Sequence, residues 1–188
     1  MENPGGSEVE LSLLFADVRG STKMAEHMSA GNFSRIMMQF YKAATDVLIK
    51  TDAFIDNIVG DEVVGLYFPL FTGPNHAAAA IHAAEELLRV IGYGTREGAW
   101  LPIGIGVNTG VAYVGTVCGS EGTVSDVTAL GDAVNVTARL ASLAGPGEAF
   151  VSDTSVTASG LNFNKMEHRQ LELKGKSDLV GVRVIKKS

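Results

Sequence analysis

Helical stripes and paired strand-like runs take turns along this chain, and that alternation narrows its architecture more than any single motif does. Across 33–48 the apolar residues Phe33, Ile36, Met37, Phe40, Tyr41, Ala44, Val47 and Leu48 recur at three- and four-residue spacing, the stripe of an amphipathic helix. Residues 53–59 and 62–68 are strand-like, and Gly60-Asp61 between them suits a tight hairpin turn. The Ala-rich stretch 75–90 predicts a second helix, stopped by Gly92 and Gly94. Residues 101–107 and 111–117 predict another strand pair turning at Asn108-Thr109-Gly110. Helical spacing resumes over 132–144, and short strands are expected near 148–151, 167–173 and 180–185. Helices alternating with hairpins, rather than with single parallel strands, predict an α+β domain. Its expected form is a ferredoxin-like core, a mostly antiparallel sheet with helices packed on it.

The 188 residues, 46% of them hydrophobic, are enough for one domain with a sizeable core. Fifteen Lys and Arg against 21 Asp and Glu leave a net charge of −6. That balance argues against a nucleic-acid binder relying on nonspecific phosphate attraction and against a polybasic membrane anchor. Any anionic ligand must be held locally. Cys118 has no partner for an internal disulfide and is not a zinc site by itself, which reads as an intracellular chain. No stretch approaches the ~18 uninterrupted apolar residues of a membrane span, and no signal-peptide pattern opens the chain. The domain is therefore expected to be cytoplasmic, whether or not a longer parent chain is membrane-attached. Residues 1–9, rich in Gly, Pro and Glu, are expected to be a flexible lead-in to a domain over 10–186.

The apolar run 11–17 predicts a buried strand that ends at Asp17 and turns through Arg19-Gly20-Ser21-Thr22 into a helix, with Ser21 or Thr22 near its N-cap. Backbone N–H groups there could receive phosphate oxygens. Asp61 sits in the predicted hairpin turn. Taken singly, both are ordinary turn aspartates. If the two strands lie side by side, they become a carboxylate pair suited to Mg²⁺ and a nucleoside triphosphate. On the predicted helix from Asp132, residues Asn135, Arg139 and Ser142 share one side. That side is either a solvated face or a clamp in which an amide fixes a sugar oxygen and a guanidinium neutralises a phosphate. Gly104-Ile105-Gly106 is not a dinucleotide fingerprint, because the run is strand-like and the next glycine falls at 110. His27, His76, His82 and His168 show no metal-ligand spacing.

Five segments in order resemble the class III nucleotidyl cyclase catalytic domain, the adenylate and guanylate cyclase family. They are Phe15-Ala-Asp-Val-Arg-Gly-Ser-Thr22, Val59-Gly-Asp-Glu-Val63, Gly106-Val-Asn-Thr-Gly110, the run from Asp126 to Arg139, and Leu173-Lys-Gly-Lys176. The Thr-Ala-Leu-Gly-Asp run resembles the bacterial subclass with Thr at one purine-reading position, here Thr128. The resemblance implies that Asp17 and Asp61, assisted by the Val18 carbonyl, hold two Mg²⁺ or Mn²⁺ ions. It implies that Asn135 positions the ribose and Arg139 the α-phosphate, and that Lys174, with Lys176 a near rival, meets the terminal phosphate. It further implies a head-to-tail homodimer whose sites lie between chains, and a regulatory domain in a longer parent chain. The departure is Asn57, where adenylate cyclases of the family usually place Lys and guanylate cyclases Glu. An amide both donates and accepts, so Asn57 with Thr128 is compatible with either purine. The expected reaction is ATP to cyclic AMP and pyrophosphate. A guanylate or dual-specificity cyclase, or a nucleotide-binding and dimerisation module, is the alternative. The Gly/Ser-rich stretch 115–126 is expected to be a flexible arm near the partner chain.

Overall fold

The computed structural model describes residues 5–118 and 124–187. The chain runs β1 (Gly6–Val18), α1 (Ser21–His27), α2 (Ala30–Lys50), β2 (Phe54–Val59), β3 (Glu62–Tyr67), α3 (Pro69–Thr72) and α4 (His76–Ile91). It continues through β4 (Ile103–Cys118), β5 (Val124–Leu130), α5 (Asp132–Leu143), β6 (Glu148–Ser152), α6 (Asp153–Ser159), β7 (Glu167–Leu171) and β8 (Val180–Lys186). The sheet order is β2-β3-β1-β4-β6-β8-β7, with β5 paired to β4 beyond the reach of β6. Among the described residues only the β4–β6 pairing is parallel. The order β2-β3-β1-β4, with α2 and α4 as the connecting helices, is the ferredoxin-like arrangement expected from the sequence.

Alternation along the central strands builds two cores. On β1, Leu14, Ala16 and Val18 face α2 and α4, where they join Phe40, Leu48, Ile81, Leu87 and Leu88. The intervening Leu11, Leu13 and Phe15 face the other side, where α5 lies with Ala133 and Ala141. Burial on both faces is why β1 reads as a continuous apolar run rather than an alternating one. The α2 stripe is as predicted, and its N-cap, Ser29, accepts a hydrogen bond from the Asn32 amide at 3.3 Å.

Several local expectations are corrected. The lead-in ends sooner than expected: β1 begins at Gly6 and pairs with the far half of β4, Gly6 lying opposite Gly115. Backbone pairing needs no apolar period, so composition hid it. Residues 108–110 form no turn, because β4 is one strand from Ile103 to Cys118, and its hairpin partner is β5. Asn and Gly favour turns, but these sit in a strand for a packing reason given below. The expected arm is strand at 115–118 and 124–126, and 119–123 lies outside the described residues. The cap of α1 is Gly20 in the left-handed conformation (φ 72°), not Ser21 or Thr22.

The glycines of β4 let α5 lie backbone-to-backbone on the strand. A Cβ at Gly104 would sit 2.5 Å from the Ala144 carbonyl oxygen, and one at Gly106 would sit 2.5 Å from both the Ala141 nitrogen and the Thr137 oxygen. On the opposite face a buried polar chain runs from His76 Nδ1 to Ser12 Oγ (2.9 Å), to Thr109 Oγ1 (2.6 Å) and to Ser155 Oγ (2.9 Å). Burial holds the His76 pKa below its ordinary 6.5, against a smaller upward pull from Glu10.

Three outcomes follow. Gly106→Ala should destabilise the domain by about 1–3 kcal/mol in urea unfolding, since the obstructing atoms are helix backbone. Gly31→Ala, with open space around it, should leave stability unchanged or slightly higher. Below pH 6.5 the unfolded chain protonates His76 more readily than the folded one does, so stability should fall as pH drops from 6.5 toward the lowered folded value. Thermal melts across that range should show this component missing in His76→Gln.

Candidate active site

The end of β1 and the β2–β3 turn form an acidic corner. Asp17 stands opposite Glu62 in the ladder, and the Val18 amide donates to the Asp61 carbonyl oxygen at 3.0 Å. The turn itself needs Gly60, at φ 62°, and the Tyr41 hydroxyl of α2 donates to the Gly60 carbonyl. The Asp61 carboxylate accepts from Ser21 Oγ, and Asp17 pairs with Arg19. Arg19 also donates to the Ser142 carbonyl at 2.6 Å, tying this corner to the C-terminal end of α5.

Burial raises the Asp17 pKa, the Arg19 guanidinium partly offsets that, and the neighbouring Asp61 charge adds to the rise. Glu62 is also raised, by burial first and then by Asp17 and Asp61, again with Arg19 opposing. Arg19 is the cation acting on both Asp17 and Glu62, with Asp61 beside them, and the surplus negative charge favours a further cation. The donors are hard oxygens with no His or Cys among them, which fits Mg²⁺ or Mn²⁺ rather than zinc. Among the described residues no cluster of three or more His, Cys, Asp or Glu could hold a metal alone. An ion on Asp17 and Asp61 would therefore complete its shell with water or phosphate oxygens, the habit of Mg²⁺ at nucleotide sites.

The remaining expected residues stand elsewhere. Asn135 is exposed and Arg139 half-buried on α5, one helical turn apart. The Arg139 guanidinium lies by the turn at Gly175, 3.7 Å from where a Cβ on that residue would be. Lys176 is paired to Asp132 at 2.7 Å, whereas Lys174 is exposed and makes no ion pair among the described residues. Of the two lysines, Lys174 is thus the one whose charge is uncommitted. Asn57 is exposed at a bulge in β2, and Thr128 is half-buried on β5 opposite Gly115. Their strands meet, since Phe54 of β2 and Val127 of β5 line one apolar groove.

Two sets of groups result. Asp17, Asp61, Val18, Gly20 and Ser21 converge with Arg19, while Arg139 gathers with the 174–176 turn. Ser21, expected near phosphate, spends its hydroxyl on Asp61, and Thr22 is exposed. Sequence reasoning missed the two supports of the corner, Tyr41 and the Arg19–Ser142 link. Tyr41 looked like one more apolar position of its stripe, and a guanidinium bonded to a backbone carbonyl 123 residues away leaves no local signal.

The fold has known counterparts. The Adenylate and Guanylate cyclase catalytic domain matches over residues 6–186, and the chain belongs to that family. Among curated relatives it is 27% identical over 180 residues to the terminal-differentiation specific adenylate cyclase of Dictyostelium discoideum, covering 92% of this chain and 8% of that protein. It is also 27% identical over 152 residues to an adenylate cyclase of Anabaena cylindrica, covering 76% of this chain and 29% of the relative. The chain thus spans less than a third of the length of either. Among solved structures, the guanylyl cyclase Cya2 superposes with a TM-score of 0.81 at 27% identity, over 98% of this chain and 95% of that one. No helix among the described residues is long and apolar enough to cross a membrane.

Proposed function

We propose that this domain is an adenylate cyclase, forming 3′,5′-cyclic AMP and pyrophosphate from ATP by attack of the ribose 3′-hydroxyl on the α-phosphate. The observation that carries the reading is the acidic corner, whose two aspartates meet with an unbalanced charge, in a chain that also retains Asn135 and Arg139 one turn apart. Asp17, Asp61 and the Val18 carbonyl would hold two Mg²⁺ or Mn²⁺ ions. Bound there, such ions supply Lewis-acid activation of the hydroxyl and neutralise the leaving pyrophosphate. The chain's own groups do the rest. Asn135 orients the ribose through its amide, and Arg139 meets the charge that grows on the α-phosphate in the transition state. Lys174 holds the terminal phosphate, and backbone N–H groups at Gly20, Ser21 and Thr22 lie beside the phosphate path. Asn57 and Thr128 hydrogen-bond the base.

Asp17 and Asp61 take Arg19 and Ser21 as partners while Arg139 stands by the 174–176 turn, which supports a site completed by a second copy, one chain giving the carboxylates and the other Asn135, Arg139, Thr128, Asn57 and Lys174. A head-to-tail homodimer has two such sites. The domain would work in the cytoplasm, as the catalytic part of a longer protein that also carries a regulatory domain.

A second reading, cyclisation of GTP alone or beside ATP, is favoured by Asn57, which lacks a fixed charge to prefer adenine, and by the likeness to a guanylyl cyclase structure. With Mn²⁺ and ATP, Asp61→Ala and Arg139→Ala should each lose at least about 100-fold in kcat. Mixed and allowed to exchange subunits, they should recover about a quarter of wild-type activity, because half the dimers are then mixed and each has one intact site. Absence of recovery despite demonstrated exchange would rule out the shared site. Asn57→Lys should raise the ATP-to-GTP ratio of kcat/KM about tenfold or more, the worth of one charged hydrogen bond to the base. A wild-type preference for GTP would reverse the adenine assignment.

A further inference from the structure

On the face of β4 that carries α5, alternate residues are Gly104, Gly106, Asn108 and Gly110. Three of them have no side chain, and the fourth is buried. Asn108 Nδ2 donates to the Ala133 carbonyl at 3.1 Å, in the first turn of α5. The same carbonyl accepts from Thr137 Oγ1 at 2.7 Å. No cap from the helix's own sequence fixes its first turn, since α5 starts on Gly131 with no side-chain hydrogen bond.

The amide is also held from behind. Asn108 Oδ1 accepts from Thr154 Oγ1 at 3.1 Å, and Thr154 Oγ1 lies 2.8 Å from Ser152 Oγ. With its oxygen committed to a hydroxyl donor, the amide can present only its nitrogen to α5. The glycine contacts press the helix close but are non-directional, so they do not fix its position along the strand. A hydrogen bond with a preferred length and angle does. At the other end, Arg19 grips the Ser142 carbonyl. Between these two tethers lie Asn135 and Arg139.

We propose that Asn108 is a positioning residue for catalysis: by anchoring Ala133 to β4 it sets where α5 presents Asn135 and Arg139. The proposal rests on the cyclase reading above and adds to it a group that touches no substrate. Its loss lets the first turns of α5 move about the Arg19 tether, and a displacement near 1 Å of positioned groups costs about 100-fold in rate. The carboxylates stand on β1 and the β2–β3 turn, so metal activation should be spared.

The test compares Asn108→Asp, which is isosteric but turns an acceptor toward the Ala133 carbonyl, with Asn108→Gly, which extends the glycine strip without a clash. Thr51→Val, which removes the half-buried hydrogen bond to the Tyr67 hydroxyl (2.9 Å) on the α2 side of the sheet and touches none of these groups, is the structural control. Per folded molecule, both Asn108 variants should lose about 10- to 100-fold in kcat with the Mn²⁺ activation constant within about twofold, while Thr51→Val keeps kcat. Hydrogen exchange should quicken over residues 133–139 in Asn108→Gly and remain unchanged in α2 and α4. An unchanged kcat in both variants, an equal loss in Thr51→Val, or a metal constant moving in step with kcat would overturn the positioning role. If wild-type protein cyclises neither nucleotide, the cyclase reading fails and takes the catalytic role of Asn108 with it. Unaltered exchange at 133–139 would refute the anchor itself in either case.

Discussion

The close contact of α5 with β4 is the constraint on which the rest of the molecule turns. A helix can approach a strand backbone only where the strand offers no side chains, and Gly104, Gly106 and Gly110 provide that strip. The opposite side of the same strand is Ile103, Ile105 and Val107, packed into the core beneath α2 and α4. One strand thus serves a tight helix contact on one face and an ordinary aliphatic core on the other. Because α5 lies low, its polar side chains stand at a fixed height above the sheet, and its C-terminal end reaches the Arg19 guanidinium.

Electrostatics shape the second half of the arrangement. Holding Asp17 and Glu62 half-buried beside Asp61 is unfavourable in the protein alone: burial first, and the neighbouring carboxylates after it, push both pKa values up. The fold tolerates it through Arg19 and through hydrogen bonds from Ser21 and Tyr41. Such stored charge is of use where a divalent cation and a polyphosphate meet, and it is costly elsewhere. Asp17 and Asp61 take Arg19 and Ser21 as partners, whereas the Arg139 guanidinium stands by the 174–176 turn.

Much of this was legible from local pattern. The α2 stripe, the β2–β3 hairpin with Asp61 at its turn, and the Asp17 strand end all appear where periodicity and turn chemistry put them. Other elements were misread for identifiable reasons. Asn108-Thr109-Gly110 carries turn residues but lies mid-strand, because glycine there answers to a helix above rather than to a bend. Residues 6–9 have lead-in composition yet pair with β4, since a backbone ladder is indifferent to side-chain pattern. The short α6 lacks an apolar period long enough to be seen.

The sequence by itself determined the α+β class, the positions of both aspartates at chain turns and the common face of Asn135 and Arg139, because each depends on contacts within a few residues. Only the tertiary structure decided that Asp17 and Asp61 meet, that Lys176 is committed to Asp132, and that Tyr41, Arg19 and Asn108 bond the carbonyls of Gly60, Ser142 and Ala133. Those outcomes depend on strand register and on the packing of helices against the sheet. Register and packing join residues far apart in the chain, and a linear pattern carries no measure of that distance.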